Sequence, residues 1–115
     1  HLMTTSSLAK MKQYNSAALW DVKRFRPNFL IETIADTDGF VEVDWCGRLL
    51  SIGELQLKCE IPTVRCGMTT HAQTELPRDT TILRTIVRDA NQNLGVYASV
   101  VKTGRIAVGD EVKLL

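Results

Sequence analysis

The chain has no Cys-x-x-Cys pair and only two histidines, His1 and His71, which argues against a closed zinc site. Its cysteines number three, an odd count, and no Asn-x-Ser/Thr acceptor occurs. Both features favour a reducing cytoplasm over secretion. No apolar run approaches the length needed to cross a bilayer. The start, His1-Leu2-Met3-Thr4-Thr5, lacks the charged n-region and apolar h-region of a secretory signal. Neither sign of charge is in real excess: 14 Lys and Arg against 13 Asp and Glu leave +1, so the balance lends no support to nucleic-acid binding. Linkers, low-complexity tracts and composition shifts are also missing. The 115 residues therefore read as one domain with one core, spanning 3–115, with His1 and Leu2 set aside as a cloning remnant ahead of Met3.

What is present reads mostly as short strands. Phe29-Leu30-Ile31-Glu32-Thr33-Ile34 is apolar and partly β-branched, and predicts a buried strand between Pro27 and the Asp36–Gly39 turn. Leu49–Ile52 and Leu55–Ile61 flank Gly53-Glu54 and predict a hairpin. In the Leu94–Val101 strand, Leu94, Val96, Ala98 and Val100 should share a face. Gly104–Leu114 reads as a second hairpin-like unit. Two short helices interrupt the strands. Thr5, Ser6 and Ser7 can cap one that runs through Leu8 and Met11 towards Tyr14. Asp79, Thr80 or Thr81 can cap the other, whose Ile82, Leu83, Ile86, Val87 and Ala90 fall on one face. The fold class is mainly β: a small β-barrel with helical additions.

Cys66 is the first candidate for chemistry. It lies in Thr63-Val64-Arg65-Cys66-Gly67-Met68-Thr69, a polar turn after an apolar stretch, and an adjacent arginine favours the thiolate that binds metals. A buried structural thiol is an equal alternative on local sequence. Cys46 and Cys59 read as structural. Lys23-Arg24-Phe25-Arg26-Pro27-Asn28 is a local cation cluster, with arginine forks suited to phosphate oxygens and Pro27 biasing Arg26 towards extended backbone. Its plainer reading is a solvated basic edge. Glu42 and Asp44 alternate with Val41, Val43 and Trp45 and read as a solvent-facing strand edge. Ser7-Leu8-Ala9-Lys10 and Lys102-Thr103-Gly104 match two marks of serine β-lactamases, but the third is missing and the chain is too short for that fold.

Several motifs in order resemble the MOSC domain, the C-terminal domain of molybdenum cofactor sulfurase. They are Asp21–Asn28, Gly39–Glu42 with Trp45, Ile52-Gly53, Pro62–Thr70, Asn93–Tyr97 and Gly104–Asp110. The run Leu76–Thr85 is similar to bacterial members. The resemblance implies a β-barrel that binds a molybdopterin-type molybdenum cofactor. It implies Cys66 as the molybdenum ligand and catalytic residue, and Arg26, Asn28, Val64, Arg65 and Tyr97 as cofactor-binding residues. The implied activity is that of a small reductase of N-hydroxylated compounds, fed electrons by an external redox protein, or of a carrier of metal-bound sulfur. Family members of this type carry a further N-terminal region, so the resemblance also implies a barrel left incomplete within one chain and a homodimer that completes it. The alternative from another class is a non-catalytic oligomeric β-domain that has lost the cofactor. A membrane or nucleic-acid partner is not expected.

Overall fold

Residues 1–115 are all described by the computed structural model. Six strands form one sheet: β1 Leu2–Thr4, β2 Phe29–Ile31, β3 Leu49–Ile52, β4 Leu55–Val64, β5 Asn93–Lys102 and β6 Val112–Leu114. Their spatial order is β2-β1-β5-β4-β3-β6, and the sheet curls into an open half-barrel. Two helices, α1 Thr5–Tyr14 and α2 Thr81–Ala90, accompany it. The chain is thus mainly β with an incomplete barrel, as expected. No helix is long and apolar enough to cross a membrane.

The period of two along β1 explains why the core has two halves. Leu2 joins Ile31, Leu50, Ile52, Leu57, Cys59 and Val96 on one side of the sheet. Met3 joins Met11, Trp20, Phe25, Ile82, Ile86 and Leu94 on the side covered by the helices. Leu2 and Met3 are both 0% exposed. Leu2 is therefore packed into the fold, pairing with Phe29 in parallel and Val96 in antiparallel.

The β3–β4 hairpin forms as predicted, with Ile52 opposite Leu55 and Gly53 at φ +52 in the turn. Helix α2 also forms, its start fixed by Asp79, whose Oδ1 accepts from the Thr81 amide at 2.9 Å and hydroxyl at 2.6 Å. Only part of its apolar set faces inward: Ile82 and Ile86 are buried, whereas Val87 is 48% exposed. Helix α1 is capped one residue earlier than expected, by Thr4 Oγ1 accepting from the Ser7 amide.

Four expectations fail for identifiable reasons. The Phe29–Ile34 run is a strand only to Ile31; β2 is a sheet edge, and Ile34 is 85% exposed. Gly104–Val108 is not a strand, and β6 pairs with β3 instead of folding back on it. Leu94 and Val96 enter opposite halves of the core, because Gly95 at φ +83 shifts the register between them. Val41–Trp45 is a short 3₁₀ helix, not a strand edge, and Glu42 is fully buried. The Glu42 carboxylate accepts from the Thr4 hydroxyl at 2.7 Å, the Thr4 amide at 3.3 Å and the Ser7 hydroxyl at 2.6 Å.

Candidate functional site

Strand β4 ends at Val64, and Arg65 and Cys66 carry the chain into a 3₁₀ turn, Gly67–Thr70. Cys66 is exposed at the head of that turn, in extended backbone. Its carbonyl accepts from the Thr69 amide at 3.2 Å and hydroxyl at 3.0 Å. The Thr70 hydroxyl donates to the Gly67 carbonyl at 2.7 Å. The turn satisfies its own polar groups, and the thiol takes no part in capping it. Cys66 is therefore not a buried thiol. Burial instead claims Cys59 and pushes its thiol up to about 11, with Cys46 and Glu60 adding to the shift. Burial and then Asp44 raise Cys46 as well.

Arg65 points the other way and is 7% exposed. Its Nε donates to the Leu94 carbonyl at 2.8 Å, Nη1 to the Phe25 carbonyl at 3.4 Å and Nη2 to Met3 Sδ at 3.4 Å. The guanidinium also lies 5.3 Å from the Phe25 ring centroid. Its backbone is tied to Gln92: Arg65 N donates to the Gln92 carbonyl at 2.9 Å, and Gln92 Nε2 donates back at 3.1 Å. Arg65 forms none of the four ion pairs in the protein. It is a buried cation held by carbonyls, a thioether and a ring. Burial pulls its pKa down, and the nearby Tyr97 and Cys66 push it back up. A guanidinium keeps its charge through such shifts.

The same neighbourhood gathers Tyr97 and Asn28. The His1 and Tyr97 rings meet edge-on, centroids 6.2 Å apart. The His1 ammonium donates to Asn28 Oδ1 at 2.6 Å, and the Asn28 amide donates to the His1 carbonyl at 2.9 Å. Burial, then the charge of Arg65, holds that ammonium below its ordinary pKa. Asn28 and Tyr97 are thus linked through His1, an unforeseen member, while the Arg65 side chain turns to Leu94, Phe25 and Met3. Val64, directly before Arg65, is 64% exposed opposite Asn93. Two buried side-chain atoms here lack a hydrogen-bond partner, Thr63 Oγ1 and His1 Nε2. Nothing in the sequence around Thr63 marks it.

The Lys23–Asn28 cluster divides. Arg24 is buried and structural: its Nε donates to the Leu19 carbonyl at 3.0 Å and Nη2 to the Pro77 carbonyl at 2.8 Å, pinning the loop after the 3₁₀ turn. Arg26 is exposed and lines a shallow cavity of about 420 Å³ with Val22, Lys23, Pro27, Leu30 and Gln73. Its backbone is not extended, as the proline rule predicts, but left-handed at φ +53. The Arg26 amide still donates to the Val22 carbonyl at 3.1 Å, closing the turn that imposes this conformation.

No three His, Cys, Asp or Glu side chains converge on a point that would hold a bare metal ion. Cys66 stands alone as an exposed thiol, and the buried Arg65 guanidinium has no carboxylate partner.

The chain matches the family model of the MOSC domain over residues 1–113. It belongs to the MOSC-domain family, whose members are associated with the molybdenum cofactor. No curated protein matches it.

Proposed function

We propose that the chain binds a molybdopterin-type molybdenum cofactor through the Cys66 thiolate. The observation that carries this reading is Arg65, a buried cation without a carboxylate, directly before the exposed Cys66. A buried charge left without a counter-ion is costly, and an anionic guest beside it recovers part of that cost. Arg65 would act mainly through its fixed positive field, because carbonyls and Met3 already occupy part of its fork. Arg26, exposed and without a hydrogen-bonding partner for its side chain, would supply direct donors to the cofactor phosphate. Asn28 and Tyr97 would orient the pterin end, and Val64 would contribute apolar surface beside it.

Bound there, the cofactor would supply oxygen- or sulfur-transfer chemistry at its metal. The protein's own part would be to present the exposed thiol and to hold a buried positive charge on the residue before it. For a reductase of N-hydroxylated compounds, electrons would come from a separate redox protein. For a sulfur carrier, the exposed position of Cys66 would serve hand-over to an acceptor enzyme.

The test is expression in a molybdopterin-competent host, with molybdenum and pterin measured per chain. Wild type should retain both, and Cys66→Ser should retain neither above background. Equal molybdenum in the two proteins would refute the assignment. Wild type free of both would favour the non-catalytic β-domain.

A further inference from the structure

Both ends of the Cys66 turn are tied to the ends of α2. At the exit, the Asp79 amide donates to the Thr70 carbonyl at 2.9 Å. At the entry the tie is Gln92, just past the C-terminal end of the helix. The Gln92 carbonyl accepts from the Arg65 amide at 2.9 Å, and Gln92 Nε2 donates to the Arg65 carbonyl at 3.1 Å. One residue thus grips the peptide groups on both sides of Arg65. The second of these is the peptide whose nitrogen belongs to Cys66. A peptide unit is planar, so holding its carbonyl oxygen also constrains the Cys66 nitrogen and Cα.

Packing does not dictate a glutamine at this position. Gln92 is exposed, and its φ of +64 is left-handed, directly after Asn91 at φ +52. Asparagine is enriched in that region, whereas most other side chains are disfavoured there. Glycine would carry no such strain. It would also still close the helix, because the Gln92 bond to the Ile86 carbonyl, at 3.0 Å, comes from the backbone amide. What glycine could not supply is the side-chain donor to Arg65. A strained residue kept in place of a relaxed one points to a role for its side chain.

We propose that Gln92 is a positioning residue for Cys66. Its side-chain amide holds the Arg65–Cys66 peptide so that Arg65 turns inward and the thiol outward. The inference rests on the cofactor reading for its purpose, since a ligand locked by its supporting hydrogen bonds binds a metal complex more tightly than a loose one.

A nitroxide attached to Cys66 by brief labelling reads the freedom of the thiol without any cofactor. Two variants separate the donor from the backbone. Gln92→Gly removes the donor and the left-handed strain, whereas Gln92→Met removes the donor and keeps the bulk and the strain. Thermal melting should therefore place Gln92→Gly at or above Gln92→Met. The spectra should not follow that order: in both variants the label should tumble about twofold faster than in wild type. In a molybdopterin-competent host, both should retain about tenfold less molybdenum per chain than wild type. Wild-type mobility of the label in either variant overturns the proposal. So does wild-type molybdenum content in the variants. A wild type that holds no molybdenum sinks the cofactor reading alone, and the label still decides whether Gln92 positions the thiol.

Discussion

The Ser7 hydroxyl donates to the Glu42 carboxylate at 2.6 Å, and both residues are 0% exposed. With Thr4, this contact ties the start of α1 to a 3₁₀ helix more than thirty residues later. Glu42 thereby supplies the negative charge that the first turn of α1 lacks. Glu42→Ala should strand two hydroxyls and the Thr4 amide and cost about 3 kcal/mol. Thermal melting should fall by about 10 °C, with Glu42→Gln intermediate because its amide oxygen still accepts. Equal melting of Glu42→Ala and wild type would show that the contact carries no stability.

Asp79 gives the fold an acid-sensitive joint. The Thr81 hydroxyl, donating to its carboxylate, holds it below the ordinary 3.8, with the Thr81 amide and two arginines assisting against some desolvation. A carboxyl depressed in the folded state stabilises above its unfolded pKa, and that stability is lost as pH falls through the folded value. Denaturant midpoints should therefore decline below about pH 4, and Asp79→Asn should flatten part of that decline. At neutral pH the same variant should cost about 1 kcal/mol through the weakened cap. Parallel pH profiles for the two proteins would contradict this.

What was legible in the sequence is what local chemistry decides. Asp79 and Thr81 announce α2, and Gly53 between apolar runs announces the β3–β4 turn. Glu42 was illegible because Val-Glu-Val-Asp-Trp alternates like a strand; its conformation is set by Thr4 and Ser7, far away in sequence. Ile106-Ala107-Val108 has strand composition but no neighbour to pair with, and composition cannot reveal a missing partner. Arg24 and Arg26 look equivalent two residues apart, yet a single turn sends one into the protein and leaves the other in solvent. The Cys66 motif was readable as a pattern. Its exposure, and the unneutralised charge of Arg65 behind it, depend on Met3, Phe25 and Leu94 from three other segments.

The three thiols should separate cleanly by reactivity. Cys66 is exposed, Cys46 half-buried and Cys59 buried, with the last raised to about 11. A thiol reagent at neutral pH attacks thiolate that it can reach. The native protein should show one fast-reacting group, abolished by Cys66→Ser, and the denatured protein three. Cys66→Ser should change stability by less than about 0.5 kcal/mol, since nothing packs on an exposed thiol. Fast labelling that survives Cys66→Ser would mean that the turn does not present this thiol.

Gly95 should be hard to replace. At φ +83 it sits where an L-residue is disfavoured, and an added Cβ would meet the Leu2 carbonyl oxygen and Met3 Cγ at 2.8 Å. The first atom is backbone and cannot swing aside. The Arg65 Nη2 atom lies 3.4 Å from the same point, so strain there would reach the Arg65 guanidinium. Gly95→Ala should cost at least about 2 kcal/mol, combining the left-handed penalty with overpacking. Gly109 shares the positive φ, +97, but has open space around its Cβ position, so Gly109→Ala isolates the backbone penalty alone. Urea unfolding of the two variants side by side measures the difference. Gly95→Ala should unfold at clearly lower urea than Gly109→Ala, and in the cofactor-retention assay it alone should also lose molybdenum. If the two variants unfold together, the close approach of β1 to β5 at Gly95 is not what fixes this part of the sheet.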